Sequence, residues 1–234
     1  MRIAFVSLFL PLLLAGSLWG ETIGKGELLK KMVDAYGGQR ALAHARSYTQ
    51  HWRVVRATDG MEGRETRRVT LPERLYIDLR YPDRRETRIL EGTVGIKVSN
   101  GRDKRQVRGA MLDAMKVQLM RLYTPLELQQ HSESLALVRK EGYYVLSLAK
   151  DGVSCDYYVN PKNFHIEKCV GRVPMGTSQM AFVTLYGEFC VVEGVLMPHT
   201  EVKYAGDVNT ATNSLTDTTF VEMRRVGEHR YERI

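Results

Sequence analysis

Residues 74–81, RLYIDLRY, alternate between apolar and polar side chains. In an extended strand successive side chains point to opposite faces, so Leu75, Ile77 and Leu79 share one face and Asp78 lies on the other. Such alternation is typical of a strand with one buried face and one exposed face. The stretch therefore predicts a sheet that encloses an interior, with these three apolar side chains on its concave side.

The same two-residue period recurs along most of the chain, between turn signals such as Asp59-Gly60 and Asn100-Gly101. Further strands are expected at residues 48–58, 62–70, 85–91, 94–99, 103–108, 134–140, 142–149, 153–159, 165–172, 179–191, 195–204 and 216–225. About a dozen antiparallel strands at this spacing indicate a sandwich or a curved, barrel-like sheet.

Two segments have a helical period instead. Residues 26–36 carry apolar side chains on one helical face and end at Gly37-Gly38. In residues 110–123, apolar side chains recur every three to four positions, and the helix is expected to stop at Thr124-Pro125. Methionine adapts to variable apolar partners, so this Met-rich helix is either a movable cover over a cavity or an ordinary core element.

The first twenty residues have the layout of a secretory signal. A positive start at Arg2 precedes about 12 mostly apolar residues, and small residues follow at Ala15, Gly16, Ser17 and Gly20. The apolar run is too short for a typical membrane-spanning helix, although a retained anchor is the alternative. We expect residues 1–20 to be removed, after Ser17 or Gly20, and residues 21–234 to form one exported domain.

In an exported protein the three cysteines, Cys155, Cys169 and Cys190, are in an oxidising compartment, where disulfides can form. If residues 160–164 form a five-residue hairpin loop, Cys155 lies opposite Cys169 and the two can form a disulfide. The alternative is three buried thiols that act as small apolar side chains. Cys190 is expected to form no disulfide within the chain.

Enzyme motifs are absent from the sequence. It has no Gly-x-Ser-x-Gly, His-Glu-x-x-His or phosphate-binding loop, and its six histidines do not share metal-ligand spacing. His165 and Cys169 are weak evidence for a nucleophile and base, because residues four apart on a strand are separated by about 13 Å. No catalytic residue, metal site or cofactor is therefore expected, and the protein is interpreted as a non-enzyme.

The net charge of +7 is compatible with contact with anionic membranes or nucleic acid. Arginines are concentrated in residues 64–108, with acidic residues interspersed. This segment is either a site for lipid head groups or a solvated outer face of the sheet. No nucleic-acid partner is expected, because the aromatic pattern of an RNA-binding sheet is missing.

Three stretches of sequence resemble the LolA/LolB-like family of outer-membrane lipoprotein-sorting proteins. They include the opening helix with Gly37-Gly38 and the proline-containing strand start at Leu71-Pro72-Glu73, followed by Tyr81-Pro82 and Glu91-Gly92. The last comprises Tyr186-Gly187, residues 192–200 (VEGVLMPHT) and Asp217-Thr218-Thr219-Phe220. Their order along the chain carries the likeness.

This resemblance implies a mainly β protein with some helix, in which an antiparallel, half-open β-barrel has an N-terminal helix and a mid-chain lid helix. It implies a periplasmic carrier that binds a lipid or the acyl chains of a lipoprotein in an apolar cavity, for transfer towards the outer membrane. The candidate wall residues are Trp52, Val54, Leu75, Ile77 and Leu79. The candidate lid residues are Met111, Met115 and Leu119.

The expected partners are acyl chains, an inner- or outer-membrane protein and, transiently, the membrane surface, with the carrier itself a monomer. Two other classes of function stay open. One is a non-catalytic structural or interaction protein of the cell envelope with a filled core. The other is a hydrolase with an unrecognised site.

Overall fold

Thirteen strands form one antiparallel sheet in the computed structural model, which describes residues 23–221, 223–225 and 231–233. The strands are β1 (Ser47–Arg56), β2 (Glu62–Thr70), β3 (Arg74–Arg80), β4 (Arg85–Glu91), β5 (Val94–Ser99), β6 (Asp103–Val107), β7 (Leu135–Lys140), β8 (Tyr143–Lys150), β9 (Val153–Val159), β10 (Ile166–Met175), β11 (Ser178–Val192), β12 (Val195–Ala205) and β13 (Val208–Phe220). Strands β14 (Met223–Arg225) and β15 (Tyr231–Arg233) pair separately.

The strand order shows two meanders joined in the middle. From the central strand β1 the chain runs outward to β6, crosses to the opposite edge at β7 and returns strand by strand to β13, which pairs with β1. The edge strands β6 and β7 do not pair with each other, so the sheet is not closed into a barrel. The expected antiparallel half-open barrel is confirmed.

Four α-helices accompany the sheet: α1 (Lys25–Ala35), α2 (Gly38–His44), α3 (Ala110–Met120) and α4 (Pro125–Gln130). The N-terminal and mid-chain helices predicted from the sequence are both present. Gly37, between α1 and α2, has a φ of +106°, and a Cβ atom there would collide with the carbonyl oxygen of Gly194. Glycine thus lets the helical turn touch the β11–β12 turn directly.

The mid-chain helix is shorter than the sequence predicted, and a second helix follows it. Helix α3 ends at Met120, and Thr124-Pro125 begins α4 rather than ending a helix. The Thr124 hydroxyl accepts from the Leu126 amide, and the Glu127 carboxylate accepts from the Thr124 amide at 3.2 Å. Proline suits the first helical position, so this pair is a start signal here.

The last long strand begins earlier than predicted. The sequence placed a strand at residues 216–225, whereas β13 begins at Val208 and ends at Phe220. Residues 208–215, VNTATNSL, are rich in small polar residues and lack a clear apolar alternation. They are nevertheless extended, because β12 and β1 lie on either side and supply the backbone hydrogen-bond partners.

Helix α3 bridges the two halves of the sheet. Leu112 and Met115 lie against Gly95 of β5, while Val117 lies against Gly171 of β10. These strands belong to opposite meanders, so the sheet curves around the helix and the concave side is the side that carries α3. Within the described residues, none of the helices has the length and apolar composition needed to span a membrane.

Candidate functional site

The concave side of the sheet changes from apolar to charged along its length. Strand pairing places Tyr48, Val69 and Leu75 beside one another, and all three are buried in the core. Four positions further along the same face, pairing places Trp52 beside Glu65, with Leu79 next in line. Polar and charged side chains are therefore built into the interior of the sheet.

A small space of about 80 Å³, called here the apolar space, lies at the junction between α3 and α4. Its lining is mainly aromatic and aliphatic, and includes Tyr36, Trp52, Leu122, Phe189 and Met197. An apolar cavity of roughly 150 Å³ is enough for benzene, so this space does not hold an acyl chain as it stands.

A larger cavity of about 520 Å³, called here the charged cavity, opens on the other side of the α3 C-terminus. Its apolar lining includes Val54, Leu79, Tyr81 and Phe182. Its charged lining consists of Arg56, Arg84, Arg88, Arg121, Lys203 and Glu65. Five cationic side chains and one carboxylate thus face a space that is within the usual size range of ligand sites.

Four charged residues between the two spaces form a buried network, called here the ionic cluster: Glu65, Arg67, Glu201 and Lys203. The Arg67 guanidinium donates to both carboxylate oxygens of Glu201, at 3.0 and 2.9 Å, and to Glu65 at 2.6 Å. Lys203 Nζ lies 3.2 Å from Glu201 and 3.7 Å from Glu65. Two positive and two negative charges balance each other.

The cluster keeps its carboxylates ionised. Burial opposes ionisation of Glu65 and Glu201, but the charges of Arg67 and Lys203 outweigh it and hold the pKa of both carboxyl groups below the usual range. Burial also lowers the pKa of Lys203. The Arg67 guanidinium lies over the Trp52 ring, 4.9 Å from its centroid, so the aromatic face supports the central cation.

Arg121, directly after α3, borders both the apolar space and the charged cavity. Its guanidinium donates to the Thr184 hydroxyl at 2.6 Å. Its Nε atom is buried and has no hydrogen-bond partner among the described residues. Arg121 also helps to lower the pKa of Glu201. Because the two positive and two negative charges of the ionic cluster already balance, Arg121 adds a positive charge beside it.

The C-terminal end of α3 is held by side chains from the sheet. The hydroxyls of Tyr157 and Tyr186 donate to the carbonyl oxygens of Met120 and Arg121, each at 2.8 Å. Carbonyl groups at the C-terminal end of a helix lack partners within it, and here the tyrosines supply hydrogen bonds, beside the Tyr123 amide, which also donates to the Met120 carbonyl at 3.0 Å. From the other half of the sheet, Arg88 donates to the Gln118 side chain at 2.9 Å.

The candidate wall residues divide between two environments. Trp52 lines the apolar space, and Val54 and Leu79 line the charged cavity. Leu75 and Ile77 are buried in the large core that also contains residues of the helices.

The candidate lid residues are also separated. Met111 is 40% exposed, whereas Met115 and Leu119 are buried in the core. The residues at the C-terminal end of the helix that face the two spaces are Gln118, Arg121 and Leu122. The packing of α3 against both glycines turns Met115 toward the sheet and leaves Met111 outside.

The ionic cluster and Arg121 were missed by sequence reasoning. Arg67 and Glu201 are 134 positions apart, so no local motif links them. One signal was available: in β12 Glu201 and Lys203 occupy alternate positions and therefore share a face. Alternating opposite charges are ordinary on a solvated face, so this pattern did not mark a buried one.

The cysteine prediction needs correction. Cys155, Cys169 and Cys190 are all free thiols, and Cys155 lies opposite Gly171 while Cys169 lies opposite Tyr157. An irregularity between Ile166 and Lys168 shifts the hairpin register, so the expected Cys155–Cys169 alignment is wrong. Both residues are buried, as the alternative of apolar thiols expected.

The part of the chain that the structure describes contains no group of three or more His, Cys, Asp or Glu side chains that could hold a metal ion. The His165 ring lies against Phe189 and Tyr36, with centroids 4.8 and 6.0 Å away. Burial lowers the pKa of His165. Its contacts are those of an aromatic packing residue.

Compared by sequence, the chain matches no protein-family profile and no curated protein. Compared by structure, it is similar to a LolA superfamily protein of Nitrosomonas europaea, with a TM-score of 0.54 and 13% identity over 87% of this chain and 96% of that one. A domain of Vibrio parahaemolyticus named for outer-membrane lipoprotein sorting has a TM-score of 0.48 and 9% identity, over 84% of this chain and 93% of that one.

A DUF1329 family protein of Desulfovibrio piger gives a TM-score of 0.47 and 8% identity, over 84% of this chain and 91% of that one. The sequence identities are too low to carry residue roles from one protein to the other. The likeness to the Nitrosomonas structure agrees with the resemblance found in the sequence. The described part of the chain therefore has a fold similar to that of this LolA superfamily protein.

Proposed function

We propose that the protein is a carrier that binds a lipid, or the acyl chains of a lipoprotein, on the concave side of the sheet, with α3 as a movable cover. The observation that carries this proposal is the cavity of about 520 Å³ beside α3, inside an open antiparallel sheet. The LolA-like fold supports the same function, because the sequence resemblance to that family implies acyl-chain binding.

Binding requires α3 to move. The apolar space of about 80 Å³ is too small for an acyl chain, so a chain must replace contacts that α3 makes in the closed form. Each CH₂ group removed from water contributes about 0.8 kcal/mol, and a chain of ordinary length can offset the loss of those contacts.

The ends of α3 suit such a movement. Gly109, directly before the helix, has a φ of +55°, and residues 121–124 separate α3 from α4. Between these points the helix is held by packing and by hydrogen bonds such as those from Tyr157 and Tyr186. Such contacts are reversible, so the helix can leave the sheet without a break in the chain.

The same proposal covers where the carrier works. Residues 1–20, which lie outside the described residues, are a signal peptide, and residues 21–234 act in the periplasm as one monomeric domain. Transient contact with a membrane, and with a membrane protein that delivers or receives the cargo, follows from the transfer of acyl chains. N-terminal sequencing of the exported protein and its size in solution test these two points.

A second candidate is a non-catalytic interaction protein of the cell envelope with a filled core. The close packing of Val117 on Gly171 and of Leu112 on Gly95 favours it, because such contacts fix a helix in one position. In that case α3 is a permanent part of the core and the charged cavity is a surface feature.

Lipid extraction distinguishes the two candidates. The purified protein is extracted with organic solvent, the lipids are measured by mass spectrometry, and the delipidated protein is titrated with a fluorescent single-chain lipid. Stoichiometric lipid or saturable uptake supports the carrier. Absence of both supports the interaction protein, and turnover of the added lipid indicates a hydrolase.

A further inference from the structure

The charged cavity holds more positive charge than its neighbours neutralise. Of its five cationic side chains, Arg56 is paired with Asp59 and Asp83, and Arg88 is paired with Glu86 at 2.8 Å. Lys203 belongs to the ionic cluster, where its charge is balanced. Each of these three cations therefore has a carboxylate partner.

Arg121 and Arg84 are the remaining two. Within residues 23–221, neither forms an ion pair with a carboxylate, and the buried Nε of Arg121 has no acceptor. The Arg84 guanidinium lies over the Tyr81 ring, 5.4 Å from its centroid. Buried hydrogen-bond donors normally have partners, yet the Nε atoms of Arg121 and Arg88, both on this lining, have no acceptor among the described residues. Of the two, Arg88 has a carboxylate beside it, so Arg121 is the one that lacks a negative partner.

The position of Arg121 links this donor to the apolar space. Its side chain borders both spaces, and Leu122, the next residue, lines the apolar one. Beside the charged lining, the charged cavity also has an apolar surface formed by Val54, Leu79 and Phe182. An amphiphile whose polar end is negative matches this combination of surfaces.

We propose that the charged cavity binds the anionic end of a single-chain lipid, with Arg121 and Arg84 as the residues that hold a carboxylate or phosphate oxyanion. The guanidinium group is planar and suits either oxyanion, with Arg121 contributing the donor that now has no acceptor. The acyl chain extends along the apolar surface toward the space that α3 covers. This inference rests on the proposed carrier function.

The test compares lipids that share one acyl chain and differ in the polar end. Delipidated protein is titrated with lysophosphatidylglycerol, the matching free fatty acid and zwitterionic lysophosphatidylcholine, and separately with glycerol phosphate, which has no chain. The variants are R121Q, R84Q and the charge-matched control R105Q, whose side chain is exposed on β6. R121K retains the charge and serves as the rescue variant.

We expect wild type and R105Q to bind at least one of the anionic lipids about tenfold more tightly than the zwitterionic lipid, the size expected for a charged hydrogen bond. R121Q should abolish this preference while zwitterionic binding changes by less than about twofold. R84Q should reduce the preference, and R121K should retain part of it. The better of the two anionic lipids identifies the oxyanion as phosphate or carboxylate.

Three results overturn the inference. If anionic and zwitterionic lipids bind equally, lipid carriage stands but the anion site is wrong. If glycerol phosphate binds as tightly as the lipids, the site is for a free phosphate compound. If no lipid binds to the wild type, the carrier function itself fails. If R121Q does not fold, two other measurements replace it. The inference then requires that R84Q reduce the preference for anionic lipid and that high salt weaken this preference in the wild type.

Discussion

Val117 of α3 packs directly on Gly171 of β10, so closely that a Cβ atom on Gly171 would overlap the Val117 side chain. Glycine is needed here because the helix approaches the strand backbone, and not because of a left-handed conformation. This contact fixes how deeply α3 sits in the concave side of the sheet.

Gly171→Ala is expected to destabilise the protein by roughly 1–3 kcal/mol, the cost of overpacking a core. Replacing Val117 with alanine in the same chain should recover part of this loss, because it removes the overlapping methyl groups. Thermal and urea unfolding of both single variants and the double variant measure the coupling. Gly26→Ala in α1 is the control, since open space surrounds Gly26 and alanine favours a helix.

A disulfide between α3 and β10 should block lipid uptake. A Cβ atom on Gly171 would lie 3.3 Å from the Val117 Cβ, near the roughly 3.5–4.5 Å found in disulfides, so Val117→Cys with Gly171→Cys can be joined. The three native cysteines are first replaced by alanine. We expect the oxidised protein to take up little lipid and the reduced protein to take up lipid normally.

The reduced form of the same protein is the control in this experiment. If the oxidised and reduced forms take up lipid at the same rate, α3 need not move and the cover mechanism is wrong.

Met115→Ala and Met111→Ala should have different effects, although the sequence assigned both residues to the lid. Met115 is buried, so its truncation is expected to cost about 2–5 kcal/mol of stability. Met111 is 40% exposed, so its truncation should change stability by less than about 0.5 kcal/mol. Chemical denaturation measures both, and equal losses would show that α3 packs differently from this structure.

Glu201→Gln is expected to destabilise the protein by roughly 3–5 kcal/mol at pH 7, because it leaves Arg67 buried with one carboxylate fewer. The pKa of Glu201 is lower in the folded protein than the value of about 4.5 in an unfolded chain. Its ionisation therefore stabilises the fold above about pH 4.5, and this contribution is lost as the pH falls further.

The measurement is the free energy of unfolding of wild type and Glu201→Gln between pH 7 and pH 3, with the difference expected to shrink toward the acid end. Glu91→Gln is the matched control, since its ion pair with Arg74 is exposed and should contribute less than about 1 kcal/mol. A difference that stays constant with pH would contradict the role given to the carboxylate.

Glu127→Gln should behave in the opposite way. Burial raises the pKa of Glu127, even though Thr124 and Arg46 favour the charged form. Ionisation therefore opposes folding, and stability should increase as the pH falls through the raised pKa. We expect Glu127→Gln to be at least as stable as wild type at pH 7, while Glu127→Ala loses about 0.5–2 kcal/mol with the capping interaction.

The strands were largely predictable because their signals are local. Residues 62–70, 85–91, 94–99 and 153–159 were assigned with the same bounds that the structure has. The beginning of β13 was not, because its residues are polar and become extended through their neighbours. Helix α4 was missed because proline was interpreted as a stop signal and not as a first helical residue.

The candidate site was harder to predict. Trp52, Val54 and Leu79 do line the two spaces, since the alternation of apolar side chains identifies the inner face of a strand. The candidate lid residues were harder to choose, because α3 is apolar on most sides and its sequence does not say which side faces the sheet. Its orientation depends on Gly95 and Gly171, two strand residues far from the helix in sequence.

By itself the sequence determined the antiparallel strands and the two helical segments, because periodicity and turn signals act over short distances. The half-open form of the sheet was implied only by the resemblance to the LolA/LolB-like family. Only the tertiary structure decided that Arg67 meets Glu201 and that Arg121 borders both spaces. Charges separated by more than a hundred residues are brought together by strand order and register, and burial then decides whether each charge has a partner.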